Sequence, residues 1–106
     1  MSIRTKPAIV QAFIESAKGP LLVGFLGSSY ALALQGLDVE RMCRGRIDYL
    51  PVSGDPSLYH VYSVRGLPTY VLYHNNREIG RHLGRLDLEA LDSLMETALG
   101  AMQCPI

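Results

Sequence analysis

The amino-acid sequence predicts an α/β domain: one mixed sheet of four to five strands, parallel strands followed by a C-terminal antiparallel hairpin, with helices on both faces. Three observations carry this. Segments with helical apolar spacing alternate with short β-favouring runs along the chain. Leu21-Leu22-Val23-Gly24-Phe25-Leu26 is a continuous apolar run after the Gly19-Pro20 breaker, which suits a parallel strand covered on both faces. Asn75-Asn76 interrupts two strand-like runs, and Asn tolerates the positive φ of a tight hairpin turn.

In the first helix Ile9, Val10, Phe13, Ile14 and Ala17 fall on one stripe, with Thr5 as cap and Pro7 in the first turn. After the apolar strand, Ser28-Ser29 can cap a second helix from Tyr30 to Arg44, with Leu34, Leu37, Met42 and Cys43 on or near its buried side. Gly36 and Asp38 weaken its middle, and Gly45 ends it. Arg46 to Leu50 reads as a strand closed by Pro51. Asp55-Pro56 opens a short helix through Tyr62. Thr69 to Tyr73 is the next strand and Arg77 to Leu83 its antiparallel return. Asp87 caps a last helix whose Leu88, Leu91, Leu94, Met95 and Ala98 share a face, and Gly100 is its expected stop. Residues 1–100 form the domain and 101–106 a loose tail. The first two strands, joined by a helix, should be parallel with a right-handed crossover.

Composition narrows the function. The chain has 106 residues, 48% of them apolar, with ten basic and ten acidic residues. One domain of this size buries a core without staples. A net charge of zero makes no electrostatic case for nucleic acid or an anionic membrane. No apolar run approaches the roughly 20 residues of a membrane span. The start Met1-Ser2-Ile3-Arg4-Thr5-Lys6-Pro7 has no signal-peptide pattern, so the expected location is cytoplasmic. The two cysteines, Cys43 and Cys104, match neither Cys-x-x-Cys nor zinc spacing, and a reducing compartment keeps both as thiols. His60, His74 and His82 lie on three different elements without ligand spacing, and Ser28-Ser29 has no Gly-x-Ser-x-Gly elbow around it. No cofactor and no metal is expected. Arg77, Arg81 and Arg85 alternate with Glu78 and Asp87, which reads as a solvated mixed face.

Arg65-Gly66-Leu67-Pro68-Thr69, followed at once by a strand, resembles the cis-proline loop of the thioredoxin family. The resemblance spans about Ile3 to Gly100 and is ungapped from Val64 to Leu94. It implies a thioredoxin-like fold in which this loop faces a Cys-x-x-Cys motif at a helix start. The matching stretch here is Gly27-Ser28-Ser29-Tyr30-Ala31-Leu32-Ala33. Tyr30 stands at the first cysteine and Ala33 at the second. Neither a phenol with a pKa near 10 nor a methyl can exchange a disulfide. The family's buried acid and its lysine partner correspond to Gly24 and Tyr49, so both members of that pair are replaced.

The resemblance therefore implies a scaffold without dithiol chemistry. The expected function is a redox-inactive protein-binding module, an adaptor or chaperone-like accessory protein. Its groove for a protein or an extended peptide would be lined by Ser29, Tyr30, Leu67, Pro68, Leu83 and Gly84, with Arg85 at the rim and no catalytic residue. Ser2-Ile3-Arg4 leave little for the family's first strand, so a homodimer through an exposed sheet edge is a further expectation. The competing reading is a thioredoxin-type thiol-disulfide oxidoreductase that employs Cys43 or Cys104 unconventionally.

Overall fold

The structure, a computed structural model, describes residues 7–27, 29–53 and 56–103. The element order is α1 (Pro7–Ser16), β1 (Leu21–Phe25), α2 (Tyr30–Cys43), β2 (Asp48–Val52), α3 (Pro56–Val61), β3 (Thr69–His74), β4 (Arg77–Leu83) and α4 (Leu88–Gln103). The strands form one sheet in the order β2-β1-β3-β4. β1 and β2 pair in parallel, β1 and β3 antiparallel, and β3 and β4 form the hairpin. Asn75 and Asn76 make its turn with φ of 54° and 62°, the left-handed region that asparagine tolerates. The expected cap Thr5, the strand residues Ser2-Ile3-Arg4, Ser28, Asp55 and Cys104 lie outside the described residues.

Strand alternation divides the core into two layers. Leu21, Val23 and Phe25 of β1 with Val71 and Tyr73 of β3 meet Val10 and Ile14 of α1 and Leu58 of α3. Leu22 of β1 with Tyr70 and Leu72 of β3 face the other way, onto Val39 and Cys43 of α2 and Leu91 and Ala98 of α4. Every residue of β1 is buried, which is why this strand reads as an unbroken apolar run. On β4 a Cβ at Gly80 would lie 2.9 Å from Leu94 Cδ1 and 3.3 Å from Ala98 Cβ. The missing side chain lets α4 settle against the hairpin.

Four local expectations need correction. β2 runs on through Pro51 to Val52. Proline fits an edge strand when its nitrogen faces away from the neighbour. Val52 accepts from the Leu26 amide at 2.9 Å, so Val52, Leu50 and Asp48 aim their backbone groups at β1 and Pro51 aims outward. α4 passes Gly100 and continues to Gln103, since a single helical glycine weakens a helix without stopping it. Ile9 and Phe13 of α1 are exposed, and Val10 and Ile14 alone are its buried residues. Leu34 and Leu37 of α2 are also exposed, while Gly36, Val39 and Cys43 are buried. α2 has apolar side chains on two sides, and the core takes the side with the smaller residues.

Arg81 also departs from the solvated-face reading. Its guanidinium pairs with Glu78 at 2.8 Å and donates to the carbonyls of Tyr62 and Ser63, both at 2.9 Å. It ties β4 to the end of α3 and holds Ser63 at a positive φ of 56°.

Candidate functional site

The candidate site lies where β1 ends, α2 begins and the loop before β3 turns. β1 runs out at Phe25, opposite Thr69 on β3, and Thr69 is in turn opposite Leu83 on β4. Three strand ends thus present Gly27, Leu67-Pro68 and Leu83-Gly84 on one rim of the sheet. Ser29 caps α2, accepting from the Leu32 amide at 3.4 Å, and Tyr30 is the first helical residue.

The Leu67–Pro68 peptide is cis. Pro68 is buried and its carbonyl accepts from the Gly84 amide at 2.8 Å. Thr69 Oγ1 donates to the Gly66 carbonyl at 2.6 Å. These two bonds hold the loop from both sides. Leu67 sits between them with neither its amide nor its carbonyl bonded to any described backbone group. Its side chain lies across Gly27, where a Cβ would come within 2.7 Å of Leu67 Cδ1. Gly27 also has φ of +75°, so glycine is required there twice over. A Cβ on Gly66 would lie 3.3 Å from Leu83 Cδ1, which links Leu83 to the same patch.

The rim is apolar and open. Tyr30 is 79% exposed, Leu83 65% and Leu67 41%. Arg85 and Arg65 are exposed at its margins, and no ion pair among the described residues engages either. His82 contacts the Arg85 carbonyl through Nε2 at 2.9 Å. Gly27 and Arg65 were not among the expected groove residues. Gly27 was legible only as a turn, because its role depends on a side chain 40 positions away.

Among the described residues no cysteine stands at the head of α2. Cys43 is its last residue, about 20 Å from Tyr30 along a helix that rises 1.5 Å per residue. Cys43 is buried, and burial pushes its thiol up to about 11, with Arg46 opposing weakly. A nucleophilic cysteine needs the opposite shift. The head of α2 carries Tyr30 and Ala33, and the two cysteines of the chain, Cys43 and Cys104, form no Cys-x-x-Cys pair.

Gly24 and Tyr49 meet behind the site. A Cβ on Gly24 would run into the Tyr49 hydroxyl and come 3.0 Å from Tyr70 Cε1. The Tyr49 phenol therefore occupies the space above Gly24 where a side chain would stand. Gly36 of α2 lies over the same spot, 3.6 Å from that hydroxyl by its would-be Cβ. The Tyr49 hydroxyl is buried without a hydrogen-bond partner among the described residues, and burial, followed by Tyr70, Cys43 and Glu40 nearby, pushes its ionisation far up. Tyr70 donates to Gln35 Oε1 at 2.8 Å. The interior behind the site is an uncharged phenol pair. Among the described residues no three His, Cys, Asp or Glu side chains cluster as a metal site, and no helix is long and apolar enough to cross a membrane.

No protein-family model and no curated protein matches the chain. Solved structures do. Thioredoxin f2 of Chlamydomonas reinhardtii is 15% identical, with all of both chains covered and a TM-score of 0.75. The thioredoxin of Fasciola hepatica is 18% identical over 92% of this chain and 99% of its own, with a TM-score of 0.74. A mutant thioredoxin from Halobacterium salinarum is 21% identical over 91% of this chain and 87% of its own, with a TM-score of 0.69. With the sheet order, the two helical layers and the loop described above, these likenesses establish that the chain has the thioredoxin fold.

Proposed function

We propose that this chain is a redox-inactive protein-binding module, an adaptor or chaperone-like accessory protein, that holds an extended peptide across the Leu67–Pro68 loop. The observation that carries this is Leu67. Its backbone amide and carbonyl have no partner among the described backbone groups, beside the exposed side chains of Tyr30, Leu67 and Leu83. A peptide laid there gains main-chain hydrogen bonds from Leu67 and apolar contact from the three side chains, the general economy of strand addition. Tyr30 is the anchor of choice, a large ring with one polar end. Gly84 leaves room for the incoming backbone, and Arg85 offers a charge at the margin. A cytoplasmic setting fits the free thiol of Cys43.

Leu67→Asp and Tyr30→Ala test the groove. Peptides selected on the native protein should lose at least tenfold in affinity on each variant, about 1.4 kcal/mol, by fluorescence anisotropy. The urea midpoint should not move for Tyr30→Ala, whose side chain is 79% exposed, so its loss of affinity is read free of unfolding. Equal affinity for native and variant proteins rules the groove out.

A homodimer through the sheet edge draws less support. β2 has no outer neighbour among the described strands, but Pro51 faces that side and offers no amide, which blunts an edge. The oxidoreductase reading draws none from Cys43, whose thiol is buried and held protonated. Insulin reduction with dithiothreitol should stay at background with the native protein. Turnover that disappears in Cys43→Ser or Cys104→Ser would reverse this assignment.

A further inference from the structure

Helix α2 carries an apolar face that, among the described residues, is exposed. Its core side is formed by Leu32, Gly36, Val39 and Cys43. On the far side Tyr30, Leu34 and Leu37 are 79%, 46% and 51% exposed, and the exposed Arg41 follows. The steps between these four positions alternate four, three and four residues, the a/d spacing of a coiled-coil seam. The buried residues fall on the c and f positions of the same heptad, directly opposite. A helix that is apolar on two sides is normally covered on both.

The order of residues along the seam says what covers it. We propose that two copies of the chain dimerise by packing α2 antiparallel against α2 of the second copy, about a two-fold axis at the level of Gln35 and Gly36. That axis sets Leu34 against Leu37 of the second copy, and Leu37 against Leu34. It sets Tyr30 under the guanidinium of Arg41 of the second copy, a cation–π contact made twice. Such reciprocity is what an isologous interface requires. Charge selects the direction. In the antiparallel pair Asp38 and Glu40 meet Ala33 and Ala31 of the second copy. In a parallel pair Arg41, at an a position, would meet Arg41 of the second copy, which opposes association. Arg41 is available, since its Asp38 contact is a 3.7 Å surface pair with both side chains largely exposed.

The seam spans one 14-residue helix, short of the roughly 20–30 residues a side of a standard stable interface. The dimer is therefore reversible and concentration-dependent. Leu67 and Leu83 lie outside the seam, so the proposal does not depend on the peptide groove. Tyr30 belongs to both surfaces.

Sedimentation velocity over a dilution series tests this, with Cys104→Ser as the background so that no intermolecular disulfide contributes. The parent should shift from dimer to monomer on dilution. Leu34→Glu with Leu37→Glu should be monomeric throughout, with an unchanged circular dichroism spectrum because both side chains are already half in water. Arg41→Glu should weaken the dimer severalfold, and Leu83→Asp should leave it intact. Direction is read by oxidising a mixture of Leu34→Cys and Leu37→Cys proteins, Cys43 being buried. The mixed disulfide should dominate over either like pair. Three results would each overturn the proposal: a monomer at every concentration, a dimer that survives the double glutamate variant, or dominance of the like pairs.

Discussion

Gly24→Ala should destabilise the domain by about 1–3 kcal/mol, the usual range for overpacking a filled core, and Tyr49→Phe in the same chain should restore part of that loss. The added methyl has nowhere to go. Its carbon would run into the Tyr49 hydroxyl and stand 3.0 Å from Tyr70 Cε1 and 3.1 Å from Tyr49 Cε1. Tyr49 has no easy retreat, because the near side of α2 closes over its hydroxyl at Gly36. Tyr70 is fully buried and tied to Gln35. Alone, Tyr49→Phe should be neutral or stabilising by about 1 kcal/mol, since it removes a buried hydroxyl that has no partner among the described residues. The double variant should then be more stable than the sum of the singles predicts, by more than 0.5 kcal/mol. Urea unfolding of the four proteins measures the cycle. Strict additivity would mean that the phenol does not fill the volume over Gly24.

This pair also shows how far the chain could be read before its structure was known. That both positions depart from the family's acid and lysine was visible in the resemblance. That the phenol reaches across to fill the glycine's space was not, because Tyr49 is opposite Leu22 in the strand register and Gly24 is opposite Pro51. A side chain leaning along the sheet leaves no signature in spacing.

Elsewhere, legibility followed how much one element could determine alone. The hairpin, β1 and the start of α2 were plain, since turn chemistry, an unbroken apolar run and a serine cap are local signals. Asp87 was read as a cap and does accept from the Ala90 amide at 2.8 Å. Which face of α2 is buried was not local. Leu34 and Leu37 are more apolar than Gly36, yet Gly36 faces Leu26 and Tyr49, because close approach to the sheet outweighs hydrophobicity at that crossing. Pro51 was read as a stop because its tolerance depends on β2 being an edge, a property of the sheet order. The groove residues divided the same way. Leu67, Pro68 and Gly84 were expected from the resemblance alone, whereas the seat of Leu67 on Gly27 needs the fold.

Alkaline pH should unfold this domain cooperatively, beginning near pH 9 and complete by about pH 11–12. The cause is a set of weak acids that the fold keeps protonated. Burial raises Cys43 from 9.0 to about 11 and Tyr70 from 10.0 to about 12, with Cys43 adding to the effect. Burial moves Tyr49 and Tyr73 further in the same direction, reinforced by Tyr70 at the first and by Glu78 at the second. The sign follows from proton counts. Between the unfolded and folded pKa values the native state keeps a proton that the unfolded chain releases, so stability falls as pH rises. The contribution is whole below about pH 9 and is lost as pH climbs through the folded values. At about 1.4 kcal/mol per pKa unit, Cys43 and Tyr70 together withdraw several kcal/mol. That is comparable with the ~5–15 kcal/mol that holds a domain together. Circular dichroism and tyrosinate absorbance followed together, with Tyr30→Phe as the background because that phenol is 79% exposed, should show the phenols of Tyr49, Tyr70 and Tyr73 ionising together with the loss of the helices. Cys43→Ala, which removes the group that ionises first, should delay its onset. Ionisation of every phenol in that background while the helices remain intact would show that Tyr49, Tyr70 and Tyr73 are open to water, and the two-layer packing of this sheet would be wrong.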